Sequence, residues 1–475
     1  MLLRQIYDED LAHAAWLIGC QRTGEAIVID PARDVDVYLE LASSHDLRIT
    51  AVAETHVHAD FLSGARQLAV DAGAHAYVSG EGGEDWNARW LAGHDHTELR
   101  DGQTIVVGGI ELRALHTPGH TPEHLCYQIT DVGGGADQPI GILSGDFVFV
   151  GDLGRPDLLE TAAGLEGTKE RAARELVDSA HRFLELPDYL QVLPAHGAGS
   201  ACGKALGAVP QSTVGYERRF NAALGDLDDE DRFVERMLGG QPSPPLYFAR
   251  MKRQNRDGVP LLEKVPVPES RTPEQMLEEG LAVVDLRGWD SFRAGHVPGA
   301  LWTKTGPLFS AAVGSLLEPG QPIGLICGEA DVERLVRGLV RIGLDDVVAH
   351  CDLDVFQSWA DEEGASRLVA SRQIDAAEMA RHVADGHRVL DVRRPDEFAE
   401  GHVVGACNIP YTRLEDPAEA LPPDDLPLLV HCLGGVRSAV ACAGLERRGI
   451  RAINVREGWR GMGDVGLELG GEQPA

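Results

Sequence analysis

Thr55-His56-Val57-His58-Ala59-Asp60-Phe61 follows directly on the apolar run at 49–53, and its reading decides the first half of the chain. Three further motifs have the same placement. His120 lies in Thr117-Pro118-Gly119-His120-Thr121, Asp146 in Leu143-Ser144-Gly145-Asp146, and His196 in Leu193-Pro194-Ala195-His196-Gly197. Each sits just past an apolar, strand-like run, so the four are expected to converge at one end of a sheet sandwich. Imidazole and carboxylate side chains gathered at strand ends are how such a fold holds a metal ion. A single histidine of this kind reads as a hydrogen-bonded structural residue; several in succession, each in its own motif, read as ligands.

A second constellation lies near the other end. Cys432-Leu433-Gly434-Gly435-Val436-Arg437-Ser438 follows an apolar stretch and precedes a helix-like segment at 439–447. A Gly-rich loop, a helix N-terminus and a guanidinium all favour an anion at sulfur, which suits a thiolate or a persulfide. Gly434, Gly435 and Ser438 are the loop positions expected to face a substrate.

The chain has 475 residues, 43% hydrophobic and 25% charged, which implies a globular protein of two to four domains. Its net charge of −32 argues against nucleic acid and anionic membrane as partners. No apolar run reaches membrane-spanning length and the acidic N-terminus lacks the apolar core of a signal peptide, so a cytoplasmic location is expected. Eight cysteines without a CxxC pair do not form a disulfide framework. Cys20 reads as a core residue. Cys202 lies six residues past His196 and near Lys204, which would lower its pKa; it is read either as a persulfide relay or as packing in a tight loop.

Alternating β and α patterns fill the first unit, and Gln241-Pro242-Ser243-Pro244-Pro245 marks a linker. The basic stretch 250–256 is read as a solvated extension of that unit in preference to a binding site. Beyond it lies a repeat. Asp285-Leu286-Arg287, Phe292 and Gly295-His296 recur 106 residues later as Asp391-Val392-Arg393, Phe398 and Gly401-His402. Both copies then deliver a cysteine, Cys327 or Cys432. Glu329, Asp331 and Glu333 follow Cys327, and Val332 stands at the arginine position. Like charge raises a thiol pKa and repels an anionic donor, so Cys327 is expected to be inert. The division expected is 1–262, 268–366 and 372–475.

The order His56-x-His58-x-Asp60, His120, Asp146, His196 resembles the metallo-β-lactamase fold, and the Cys432 loop resembles the active loop of a rhodanese. The resemblance implies an αββα sandwich followed by two rhodanese-like α/β domains with parallel sheets. Two-metal members of the first family read His-x-His-x-Asp-His, and Phe61 stands where the last histidine would be, which argues for one metal. The segments 145–158 and 194–204 are similar to those of persulfide dioxygenases, and the whole chain resembles a persulfide dioxygenase–rhodanese fusion. That resemblance implies one Fe(II) per chain on His56, His120 and Asp146, with His58, Asp60 and His196 orienting ligands or substrate. It implies oxidation of thiol persulfides by O2 to sulfite, and sulfur transfer at Cys432 to give thiosulfate, supported by Arg437. It further implies a homo-oligomer. Arg155, Tyr216 and Arg218 are candidate contacts for the thiol carrier or, equally, surface or ion-pairing residues. The rival readings are a zinc thioesterase of the glyoxalase II kind fused to sulfur-transfer domains, and a sulfur carrier whose first domain only binds.

Overall fold

The computed structural model describes residues 1–161, 167–204, 206–362, 364–421, 426–463 and 465–471, and divides into two compact units, Met1–Lys264 and Val265–Ala475. Among the described residues no helix is long and apolar enough to cross a membrane.

The first unit is built on two six-stranded sheets. One runs in the order β1 (Leu2–Asp8), β2 (His13–Cys20), β3 (Glu25–Ile29), β4 (Arg48–Ala53), β5 (His75–Ser79) and β6 (His96–Leu99). The other comprises β7 (Thr104–Val107), β8 (Ile110–His116), β9 (Leu125–Thr130), β10 (Gly141–Gly145), β11 (Gln191–Pro194) and β12 (Ser212–Thr213), again in sequence order across the sheet.

Strand periodicity explains the layering. Successive side chains of a strand point to opposite faces. Trp16, Ile18 and Cys20 of β2 therefore join Ile27, Ile29, Leu112, Tyr127 and Leu193 in a core between the sheets. Ala15 and Leu17 turn the other way, onto the helices Asp36–Ser44 and Ala65–Asp71. The outer face of the second sheet is covered by Lys169–Leu184, whose Leu176, Val177, Ala180 and Phe183 pack on Cys126, Ile142 and Val192. The result is the αββα sandwich of the metallo-β-lactamase fold. Because β2 is buried on both faces it reads as a continuous apolar run rather than an alternating one.

The Pro-rich stretch 241–245 does not end this unit, contrary to the linker expected there. The helix Phe248–Asp257 packs back onto it, with Phe248, Met251 and Asn255 buried.

The second unit contains two five-stranded parallel sheets of matching design. The first orders its strands Glu269–Ser270, Val347–Cys351, Ile323–Ile326, Ala282–Asp285 and Leu301–Trp302; the second, Arg372–Ile374, Ala452–Val455, Leu428–His431, Val389–Asp391 and Cys407–Asn408. The repeated Asp-x-Arg motif has a structural cause. In each copy the aspartate takes its arginine bidentately, and the same guanidinium donates to a loop carbonyl, Gly295 O or Gly401 O. A carboxylate at the end of a buried strand needs such a partner.

Candidate functional site

The loop after β4 and the segments following β8, β10 and β11 all lie at one end of the sandwich. They bring Nε2 of His56, Nε2 of His120 and the Asp146 carboxylate to within 4.8 Å of one another. Asp146 Oδ2 stands 3.9 Å from His56 Nε2 and 3.4 Å from His120 Nε2. Each imidazole is held by its other nitrogen. His56 Nδ1 is 2.9 Å from Thr55 Oγ1, which donates to Asp30 Oδ2, and His120 Nδ1 donates to Arg155 O at 3.0 Å. Fixing Nδ1 directs Nε2 at the common point, the arrangement metal-ligating histidines require.

Asp30 is an organiser that sequence reasoning missed. Its backbone is left-handed (φ 51°), and its carboxylate takes the Thr55 N–H and hydroxyl and lies 3.1 Å from His58 Nε2. The available signal was an aspartate ending the apolar strand 26–29. Gly145, at φ 51°, is a second steric requirement: a Cβ there would lie 2.6 Å from His124 Nε2, which accepts the Asp146 N–H.

The electrostatics suit a cation. Both Asp146 carboxylate oxygens are fully buried without a hydrogen-bond partner. Burial pushes this carboxyl up to about 6; His196 opposes the rise and Asp60 adds to it. Burial, then the Lys252 ammonium, hold His120 down at about 3; burial and the neighbouring imidazoles keep His56 well below its ordinary value. His196, 3.4 Å from Asp146 Oδ1 and raised well above its ordinary value by Asp146 and Asp60 against the effect of burial, shares the charge of that carboxylate, while His56 and His120 are the neutral imidazoles a divalent metal binds. His56, His120 and Asp146 therefore make a possible metal site.

His58 and His196 are placed differently from one another. His58 is engaged with Asp30, whose charge and hydrogen bond outweigh burial and raise it to about 9. His196 Nε2 lies 3.2 Å from Asp60 Oδ2 and 3.4 Å from Asp146 Oδ1, while its Nδ1 donates to Ala12 O. Asp60, His196 and Cys202 form a second buried donor cluster against the first. Phe61 is fully buried beside it, its ring 4.0 Å from that of His13 and 4.5 Å from that of His58.

The remaining candidate residues are engaged with their own neighbours. Lys204 does not activate Cys202: its Nζ donates to the carbonyls of Arg236 and Gly239. The Cys202 thiol is instead pushed up to about 12, by burial first and then by Asp146 and Asp60. Arg155 does not face a ligand; it is 1% exposed, pairs bidentately with Asp157 and donates to Ala201 O and Pro242 O. Arg218 pairs with Asp188 and donates to Leu184 O and Leu186 O, closing the end of Lys169–Leu184. Tyr216 is exposed and packs on Phe220. The basic stretch 250–256 is not a solvated extension: Asn255 donates to His58 O and Phe61 O and accepts from Ser63 N, gripping the metal-site loop. Cys20 lies in the inter-sheet core.

In the last repeat Cys432 is buried at the end of its strand. Gly435 N donates to its Sγ at 3.1 Å and Ser438 Oγ approaches at 3.5 Å. Gly435 is left-handed (φ 88°), and a Cβ on it would meet Arg456 O at 2.1 Å. The helix Val436–Arg447 starts on the next residue and directs its N-terminus at the sulfur side of the loop. Gly434 is exposed on the loop. The Arg437 guanidinium hydrogen-bonds to Glu397 rather than to the sulfur, while its charge still interacts with Cys432. It donates bidentately to Glu397, at 2.7 Å through each nitrogen, and so ties the start of that helix to Pro395–Glu400. In the middle repeat the Cys327 thiol is pushed up to about 12, by burial and then by Asp331, Asp352 and Glu329. Glu333, counted in the sequence among its acidic neighbours, turns away to Arg337.

The metallo-beta-lactamase superfamily profile matches residues 8–196, and the rhodanese-like domain profile residues 375–463. A probable metallo-hydrolase of Burkholderia pseudomallei is 30% identical over 258 residues, covering 49% of this chain and 84% of the relative. A hydroxyacylglutathione hydrolase of Rhodospirillum rubrum is 30% identical over 256 residues, covering 50% of this chain and 93% of the relative. A crystal structure of a metallo-beta-lactamase from Staphylococcus aureus superposes with a TM-score of 0.66 at 39% identity, covering 74% of this chain and 98% of that one. A metal-site geometry on an αββα sandwich, followed by a cysteine loop on a parallel sheet, thus coincides with these matches: the chain belongs to the metallo-beta-lactamase superfamily and carries a rhodanese-like domain near its C-terminus.

Proposed function

We propose that the first unit is a persulfide dioxygenase with one Fe(II) on His56, His120 and Asp146, and that the last repeat transfers sulfur through a Cys432 persulfide. The observation that carries the reading is the triad itself: two neutral imidazoles and one buried carboxylate, neither of whose oxygens has a hydrogen-bond partner, around a single point. Such a set leaves positions open for substrate sulfur and for O2. Iron(II), when bound, supplies the electron exchange with O2 that no side chain of this chain supplies.

In balance, a thiol persulfide, O2 and water give the thiol and sulfite. At Cys432 the thiolate attacks the outer sulfur of a second persulfide; the S–S bond breaks, the thiol leaves and the cysteine persulfide remains. Sulfite then attacks the outer sulfur, thiosulfate departs, and the Cys432 thiolate is restored. The Gly435 N–H and the helix N-terminus stabilise the sulfur anion in both half-reactions. Small persulfides and O2 are the partners in this reading, and joining both sites in one chain raises the sulfite concentration at the second.

Oxygen uptake on adding glutathione persulfide, with metal content and products measured in the same preparation, tests it. One iron per chain, uptake with thiosulfate formed, and loss of both iron and uptake in Asp146→Ala are the expected results. A second reading has its own support. The Asp60–His196–Cys202 cluster abuts the triad, and relatives carry hydrolase names, which favours a two-metal thioester hydrolase. Two zinc ions per chain with thioester cleavage and no oxygen uptake would establish it instead.

A further inference from the structure

In the second unit the helix Trp289–Ala294 of the middle repeat meets the first strand of the last repeat, Arg372–Ile374, where Ser371 N donates to Arg293 O at 3.0 Å. The Trp289 ring is held by Phe292 and Trp302, at centroid distances of 5.6 and 5.0 Å. Its Nε1–H donates to Gln373 Oε1 at 2.6 Å, and the same oxygen accepts from Asn454 Nδ2 at 3.0 Å. Gln373 and Asn454 face each other in register on neighbouring parallel strands. Ser438 and Asn454 are both buried, and Asn454 Oδ1 lies 2.7 Å from Ser438 Oγ, which stands 3.5 Å from Cys432 Sγ. A continuous chain of side-chain hydrogen bonds thus runs from the middle repeat to the sulfur of the last one.

The sense of this chain is decided at its far end. A side-chain amide can turn either its oxygen or its nitrogen to a neighbour, and a hydroxyl can donate or accept, but an indole N–H only donates. Trp289 therefore fixes which end of the Gln373 amide faces it. The Gln373 oxygen then draws the Asn454 nitrogen, which leaves Asn454 Oδ1 facing Ser438. The Ser438 hydroxyl has one proton, and Asn454 Oδ1, Gly435 O and Cys432 Sγ stand 2.7, 3.1 and 3.5 Å from it. The proton goes to the nearest of these, and the hydroxyl turns its lone pairs to the thiol. We infer that Trp289 and Gln373 are positioning residues of the sulfur-transfer site: through Asn454 they make Ser438 Oγ the acceptor of the resting Cys432 S–H, while Gly435 N–H holds a lone pair of the same sulfur. This rests on the reading of Cys432 as the transfer residue. In net balance the Cys432 thiol and a persulfide anion give the Cys432 persulfide anion and a free thiol. The new S–S bond forms at Cys432 Sγ, the donor's S–S bond breaks, and the thiol proton leaves with the departing sulfur. A sulfur held by both neighbours meets the donor in one orientation, and the middle repeat supplies that restraint.

The test uses full-length, iron-loaded protein kept free of O2, so that the first unit leaves the persulfide intact. Infrared difference spectra between each protein and the same protein carrying Cys432→Ser isolate the S–H stretch of Cys432, whose frequency falls when the thiol donates a hydrogen bond. Trp289→Phe keeps the ring beside Phe292 and Trp302 and removes the N–H; Gln373→Leu removes the acceptor. In both, the Cys432 band should move toward that of an unbonded thiol. Single-turnover loading of sulfur from glutathione persulfide, followed by intact-protein mass with Cys432→Ser as the blank, should slow about 5-fold, as for loss of one net hydrogen bond. A carboxylate only accepts, so Gln373→Glu holds Asn454 in the same sense with or without the indole. Trp289→Phe/Gln373→Glu should therefore regain the wild-type band and the wild-type rate. A Cys432 band that is absent from the wild type, or that stays in place in both Trp289→Phe and Gln373→Leu, overturns the inference. So does a shift and slowing in Trp289→Phe that Gln373→Glu does not reverse, which makes Trp289 a packing residue. A wild type that takes up no sulfur sinks the transfer reading alone, because the Cys432 band still decides whether Trp289 and Gln373 hold the thiol.

Discussion

Glu397→Gln isolates the contact that takes the hydrogen bonds of Arg437. In the folded protein both carboxylate oxygens of Glu397 accept from the Arg437 fork, with side-chain exposures of 15% and 23%. Glutamine keeps the shape and one acceptor, including the means to hold the Arg394 N–H at the start of Pro395–Glu400, but removes the charge. Breaking a fully buried pair costs about 3–5 kcal/mol, and an exposed pair is worth less than about 1. At these intermediate exposures the expected loss is about 2 kcal/mol at pH 7. The pH dependence follows from the sign. Burial alone would raise the Glu397 carboxyl, but the hydrogen bond and charge of Arg437 hold it below its ordinary value. A carboxyl lowered in the folded state stabilises above its unfolded pKa of about 4.3, and that stabilisation is lost as the pH falls through the folded value. Urea unfolding of wild type, both single variants and Glu397→Gln/Arg437→Gln at pH 7 and pH 3.5 measures all of this. The double-mutant cycle should show coupling of about 1–2 kcal/mol at pH 7 and less at pH 3.5. Additive single variants, or a difference that does not shrink in acid, would refute the reasoning and return Arg437 to the sulfur anion.

Cys432→Ser should leave oxygen uptake intact and shift the product from thiosulfate to sulfite, whereas Cys327→Ser should change neither; product analysis in one assay distinguishes them. Phe61→His places an imidazole beside the Asp60–His196–Cys202 cluster and is expected to raise the bound metal from one to two per chain by elemental analysis. Arg155→Leu leaves the buried Asp157 carboxylate and the carbonyls of Ala201 and Pro242 without their donor, and should destabilise the first unit by about 3–5 kcal/mol in thermal or urea unfolding.

Local chemistry made much of this protein legible before any coordinates. A donor that follows an apolar run lies at a strand end, so the His56–Asp60 motif, His120, Asp146 and His196 stood out together as ligand candidates; the choice of His56, His120 and Asp146 among them came from the family resemblance. A thiol followed by glycines and a helix start marks an anion-holding loop wherever it occurs. The repeated Asp-x-Arg, two residues apart, encodes an ion pair within its own span, and so could be read as a repeat of structure. Contacts made at long range could not be read this way. That Arg437 belongs to Glu397, forty residues earlier, depends on how the helix Pro395–Glu400 lies against the Cys432 loop. That Arg155 serves Asp157 and two carbonyls, and that Asp30 orients His56 through Thr55 and pairs with His58, depends on which loops fold over which strand ends. Lys252 shows the limit best. Its stretch is the most basic in an acidic chain, and composition alone assigns such a stretch to solvent. Only the packing of Phe248–Asp257 against the metal-site loop turns the side chain inward, because Phe248, Met251 and Asn255 need that interface and carry the lysine with them.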